Sequence, residues 1–140
     1  MRLFISHAQK DDLLARQLRE RLVRVGLAVW SSEEEIAPGD NWAKKIGKAL
    51  DDAELMVILL TPKAMESERL RQNIEFALGS KKFEGRVYSV IVGPTIEAKE
   101  VPWILWQLPH RQVESTAKFG EVAKEIHALA MTPQASPSHA

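Results

Sequence analysis

The apolar run Leu3-Phe4-Ile5 gives way at once to polar Ser6 and His7. Asp11-Asp12 then form an N-cap pair ahead of a segment in which Leu14, Leu18, Leu22 and Val25 recur at helical spacing, and Gly26 stands where a helix-ending glycine belongs. This predicts a strand followed by an amphipathic helix. Leu27-Ala28-Val29-Trp30 predicts a second strand, and the polar stretch from Ser31 to Asn41, with three consecutive glutamates and Pro38-Gly39, predicts a loop. Asp40 or Asn41 then caps a helix whose apolar face is Trp42, Ile46 and Leu50, with Lys44, Lys45 and Lys48 turned to water. Leu55 to Leu60 is apolar at every position and stops at Thr61-Pro62, the pattern of a strand buried on both faces in the middle of a parallel sheet. Ser67 opens a third helix with Leu70, Ile74, Ala77 and Leu78 as its buried stripe and Gly79 at its end. Val87 to Val92 predicts a fourth strand, a short fifth strand closes the stretch from Val101 to Val113, and Glu114 to Met131 predicts a last helix packed through Phe119, Val122, Ile126 and Leu129.

Strands alternating with helices predict an α/β fold: a flavodoxin-like, three-layer αβα arrangement around a mostly parallel sheet of about five strands, with right-handed crossovers. At 140 residues this is one domain, placed at residues 1–131. Residues 132–140, a Ser/Pro/Ala stretch with little to bury, are expected to form a disordered tail. Nineteen basic and nineteen acidic residues cancel, so no overall field draws nucleic acid or anionic lipid to the chain. No apolar stretch approaches the roughly 20 residues that a membrane span needs, so no membrane partner is expected. Cysteine is absent, which excludes disulfides, thiol nucleophiles and thiolate zinc sites, and a cytoplasmic setting fits best. No cofactor is called for by any motif.

In parallel sheets of this kind ligands collect beyond the carboxyl ends of the strands, so Ser6-His7-Ala8, the stretch from Trp30 to Asp40 and Thr61-Pro62 should share one rim. Several chemistries are excluded there. The turn after the first strand contains no glycine for a dinucleotide pyrophosphate, and no phosphate loop with Gly-Lys-Ser or Gly-Lys-Thr occurs. The third strand ends at Thr61-Pro62 without the aspartate of a phosphoacceptor, and no Gly-x-Ser-x-Gly elbow is present.

Four local patterns stand in order along the chain: Phe4-Ile5-Ser6-His7 with Asp11-Asp12; Trp30-Ser31-Ser32-Glu33-Glu34; Ile36-Ala37-Pro38-Gly39-Asp40 with Trp42; and Ile58-Leu59-Leu60-Thr61-Pro62 with Ser67. Together they resemble a Toll/interleukin-1 receptor (TIR) domain of the bacterial type. That resemblance implies one of two functions in immune defence or signalling. Enzymatic members cleave the nicotinamide–ribose bond of NAD+, releasing ADP-ribose or a cyclic isomer, with NAD+ as substrate. Others are non-catalytic modules that associate with further TIR domains through the loop after the second strand, and a module that binds a nucleotide signal without cleaving it would use the same cleft. Fold alone does not choose among them.

The resemblance also implies site residues. The essential group of the enzymatic members is a glutamate on the third helix, in the pattern Ser, one residue, an aromatic, three residues, Glu. Its carboxylate holds the nicotinamide-side ribose hydroxyls and stabilises the positive charge that develops as nicotinamide leaves. In this chain Ser67 matches the serine, Arg69 stands at the aromatic position and Asn73 at the glutamate position. An amide donates and accepts hydrogen bonds but carries no charge, so NADase activity is in question at Asn73 itself. Glu75 lies about 200° around the helix from Asn73 and is assigned to the solvent side. Ser6, His7, Ala8, Trp30, Glu34, Ile36, Pro38, Gly39 and Ser67 are the candidate substrate-binding residues. Trp30 has core packing, and His7 a capping role, as the competing assignment. No metal ligands are expected.

Overall fold

The computed structural model describes residues 2–30, 42–93 and 98–132. Strands β1 (Arg2–Ser6), β2 (Ala28–Trp30), β3 (Leu55–Leu60), β4 (Val87–Val92) and β5 (His110–Val113) form one sheet in the order β2-β1-β3-β4-β5. Every registered pair is parallel. The helices are α1 (Asp12–Arg24), α2 (Trp42–Asp52), α3 (Glu68–Leu78), the short α4 (Trp103–Trp106) and α5 (Phe119–Met131).

Alternate residues of each strand enter opposite layers, as the pleat requires. Phe4, Met56, Ile58 and Ile91 pack with Leu50 of α2, Leu70 and Ile74 of α3 and Leu105 of α4. Leu3, Ile5, Val57 and Val90 pack on the other face with Leu18 and Leu22 of α1 and with Val122 and Ile126 of α5. Helices thus cover both faces, which is why β3 can be apolar and buried at all six positions and sits in the centre of the sheet.

Among the described residues the predicted elements hold with local corrections; the loop predicted from Ser31 to Asn41 lies outside them. Asp11 occupies the N-cap position of α1, yet its side chain makes no capping bond; a 3-10 turn at Gln9–Asp11 precedes the helix, and the Asp11 carboxylate is buried in a different network. The buried stripe of α1 is Ala15, Leu18 and Leu22, whereas Leu14 and Val25 are half-buried at its margin. Leu78 is 40% exposed, because it is the last residue of α3 and is turned about 100° from buried Ala77. The last helix begins at Phe119; Thr116–Lys118 before it is a separate 3-10 turn. Gly26 has φ +97°, as a helix-ending glycine often does. Leu50 is buried as expected, while the caps at Asp40 or Asn41 and the side chains of Trp42 and Ile46 lie outside the described residues. So does the predicted tail beyond Thr132.

Two cations from the segment before β4 tie the far end of the sheet. Lys82 Nζ donates to the carbonyl of Leu50 at 2.8 Å and to that of Asp51, at the end of α2. Buried Arg86 donates to the carbonyls of Leu129 (2.9 Å), Ala130 (3.4 Å) and Thr132, at the end of α5. Positive donors there satisfy orphan carbonyls and oppose the negative pole of each helix.

Candidate functional site

The C-terminal ends of β1 and β3 and the first turns of α3 converge on one rim. Ser6, the last residue of β1, is 1% exposed, and Asn73 on α3 is 7% exposed. The Asn73 amide nitrogen donates to Ser6 Oγ at 3.2 Å, a bond between residues 67 positions apart. Ser67 sets the start of α3, since its hydroxyl accepts from the backbone N–H of Leu70 at 3.2 Å. That cap fixes the helix so that Leu70, Asn73, Ile74 and Ala77 face inward, with Asn73 falling over the end of β1.

A second polar cluster joins the turn after β1 to the turn after β3. Thr61 Oγ1 donates to Asp11 Oδ2 at 2.6 Å and accepts from Lys10 Nζ at 2.7 Å; Lys10 also lies 3.3 Å from Asp11 Oδ1. Asp11 and Thr61 are buried and the Lys10 side chain is half exposed. The turn between them is closed by the carbonyl of Ala8, which accepts from the Asp11 N–H at 2.9 Å. Beside it, buried His7 shares a 2.9 Å contact from Nε2 to Asp12 Oδ1, so the carboxylate selects the tautomer or charge state with a proton on Nε2. Beyond β3 the chain turns through Lys63, which takes the left-handed conformation (φ +65°) and donates its N–H to Glu100 at 3.3 Å. Gly93, after β4, has φ +122°, a conformation that favours glycine, and a Cβ there would make ordinary contact with the Pro62 ring at 3.4 Å.

The TIR domain family profile matches residues 3–122. The chain belongs to the TIR domain family. A relative from Escherichia coli O6:H1, NAD(+) hydrolase TcpC, is 23% identical over 130 residues, covering 91% of this chain and 42% of that protein. NAD(+) hydrolase TcpA from a Theionarchaea archaeon is 29% identical over 117 residues, covering 83% of this chain and 35% of that protein. The chain therefore spans less than half the length of these curated relatives. Among solved structures, the TIR domain of the Toll-related receptor TRR-2 from Hydra magnipapillata superposes with a TM-score of 0.67 at 15% identity, covering 89% of this chain and 97% of the other.

Within this TIR domain the sequence-derived candidates separate into three groups. Asn73 meets Ser6 at the end of β1, His7 and Ala8 follow Ser6 in the turn after that strand, and Ser67 caps the start of the helix that carries Asn73. Trp30 instead stacks on Phe4, with ring centroids 5.0 Å apart and planes within 12°, inside the core cluster of the α2–α3 layer. It therefore serves as a packing wall between β1 and β2. Glu34, Ile36, Pro38 and Gly39 lie outside the described residues.

Sequence alone does not link Asp11, Thr61 and Lys10, because cap propensity and a strand-ending Thr-Pro account for the first two locally. A signal was present only at Thr61, a polar residue directly after the buried run Leu55–Leu60. The electrostatic consequence is specific. Asp11 is bound by Thr61 and Lys10 and Asp12 by His7, while Glu66, Glu68 and Glu75 are exposed. The group bonded to Ser6 is a neutral amide. No cluster of three potential metal ligands occurs among the described residues, and no described helix is long and apolar enough to cross a membrane.

Proposed function

We propose that this TIR domain binds NAD+ or a related nucleotide at the rim formed by Ser6, His7, Ala8, Ser67 and Asn73, and that it is a silenced or slow member of the NAD+-cleaving type. The observation that carries this reading is the buried Asn73 amide bonded to Ser6 at the end of β1. On this reading the Asn73 side chain meets ribose hydroxyls beside Ser6, but it brings no negative charge toward the cation that develops as nicotinamide leaves. Two relatives that bear the name NAD(+) hydrolase support the choice of nucleotide. A missing preorganised electrostatic group costs about 3–4 kcal/mol in the transition state, or roughly 10²- to 10³-fold in rate.

Ser6 suits either side chain at position 73, because a hydroxyl accepts from an amide and donates to a carboxylate. Asn73→Glu is therefore expected to raise nicotinamide release from NAD+ by about 10²-fold or more, followed by chromatography, with the parent near background. NAD+ is expected to raise the melting temperature of both proteins. Absence of turnover in the variant together with absence of a thermal shift in either protein would sink the nucleotide reading. We further assign the domain to the cytoplasm and to immune defence or signalling, alongside other TIR domains. The absence of cysteine and the family membership support that setting.

A further inference from the structure

A cavity of about 390 Å³ opens at the end of the sheet opposite the rim, between the last turn of α3, the segment leading into β4 and the residues after α4. Its walls are Ala77, Leu78, Phe83, Val87, Ile104 and Leu108, and none of these belongs to the polar rim. Leu78 and Ile104 stand 40% and 37% exposed on its two sides, so apolar surface continues from the interior to the mouth. The volume falls in the lower part of the range of about 300–1,000 Å³ typical of small-molecule sites.

The polar side chains of the lining, among the described residues, are those of Ser80, Lys81 and Glu84. Glu84 is engaged with another group, as is the neighbouring Lys82, whose ammonium caps α2. Lys81 differs from both: its side chain is exposed and makes no hydrogen bond or ion pair among the described residues. An apolar cavity with one uncommitted cation and one hydroxyl at its mouth has the complement of a short apolar body ending in an anion.

We propose that this cavity binds a small apolar carboxylate, with its hydrocarbon body between Leu78 and Ile104 and its carboxylate at Lys81 and Ser80. The site is independent of the nucleotide rim and stands whether or not that rim is catalytic.

The test is a methyl-resolved NMR titration of the intact chain with octanoate, 1-octanol and octylammonium in turn. Octanoate is expected to shift the methyls of Leu78, Val87, Ile104 and Leu108 together and saturably, and to bind about fivefold more tightly than octanol, with octylammonium weakest. Lys81→Gln, at an exposed position, is expected to reduce octanoate to the affinity of octanol, and Ile104→Glu to weaken both. Equal affinity for octanoate and octanol, or an unchanged octanoate affinity in Lys81→Gln, overturns the anion assignment. Shifts scattered over other surfaces, or failure to saturate, overturn the site.

Discussion

Thr61→Val removes one hydroxyl from the cluster that joins the turns after β1 and β3, and the structure sets the size of the effect. Valine keeps the branched shape of threonine, so no cavity opens and hydrogen bonding alone changes. The lost interaction is a 2.6 Å donation to the buried Asp11 carboxylate and a 2.7 Å acceptance from Lys10. A hydrogen bond to a charged group is worth about 1.5–3 kcal/mol. Lys10 stays within reach of Asp11 at 3.3 Å, but it is half exposed and screened, so it recovers only part of that loss. The expected net cost is about 2 kcal/mol, or a fall in melting temperature of about 6 °C for a domain of this size. Urea unfolding should show a lower midpoint at unchanged slope. Thr61→Ser should lose much less, because it restores the hydroxyl.

A double-mutant cycle with Asp11→Asn isolates the pair, and an interaction energy of about 1–2 kcal/mol is expected. If Thr61→Val changes stability by less than about 0.5 kcal/mol, or if the two substitutions simply add, the cluster does not hold the two turns together.

Arg86→Met keeps the buried stem but leaves the last carbonyls of α5 without their charged donor; calorimetry should show a loss of about 2 kcal/mol, and a near-neutral result would refute the capping role. Ser89 is fully buried in β4 and its hydroxyl has no hydrogen-bond partner among the described residues, so Ser89→Ala should be neutral or stabilising by up to about 1 kcal/mol in chemical unfolding, with any clear destabilisation contradicting this. Burial, followed by the carboxylate of Glu125 that accepts from its hydroxyl at 2.7 Å, pushes the ionisation of Tyr88 above its ordinary value, against a smaller opposing pull from Arg111. The unfolded chain thus loses this proton first, at pH about 10, so the Tyr88 contribution is complete below that pH and declines as pH rises beyond it. The urea midpoint of the parent should fall more steeply between about pH 9 and 11 than that of Tyr88→Phe, and parallel profiles would exclude the tyrosine as the cause.

Local signals carried most of the fold. The continuous run of β3 announced a strand covered on both sides, and Ser67 announced its helix by a cap that forms as expected. The errors fall where local propensity competes with a distant partner. Asp11 looked like a cap and became the buried acceptor of Thr61, fifty positions away. Leu78 fits the buried stripe by period but, as the last residue of α3, is turned away from Ala77 and lines a cavity. Trp30 carried two assignments, and its stacking on Phe4 supports the packing one.

From its own residues the chain determines a parallel α/β sheet, the absence of thiol chemistry, and the uncharged side chain at position 73. These follow from backbone periodicity and residue type, which need no knowledge of neighbours in space. Tertiary structure alone decided that Asn73 lies over Ser6, that Asp11 is bound by Thr61 and Lys10 and Asp12 by His7, and that an apolar cavity opens at the opposite end. The physical reason is that a buried polar group must find a partner wherever folding brings one, and that partner need not be near in sequence.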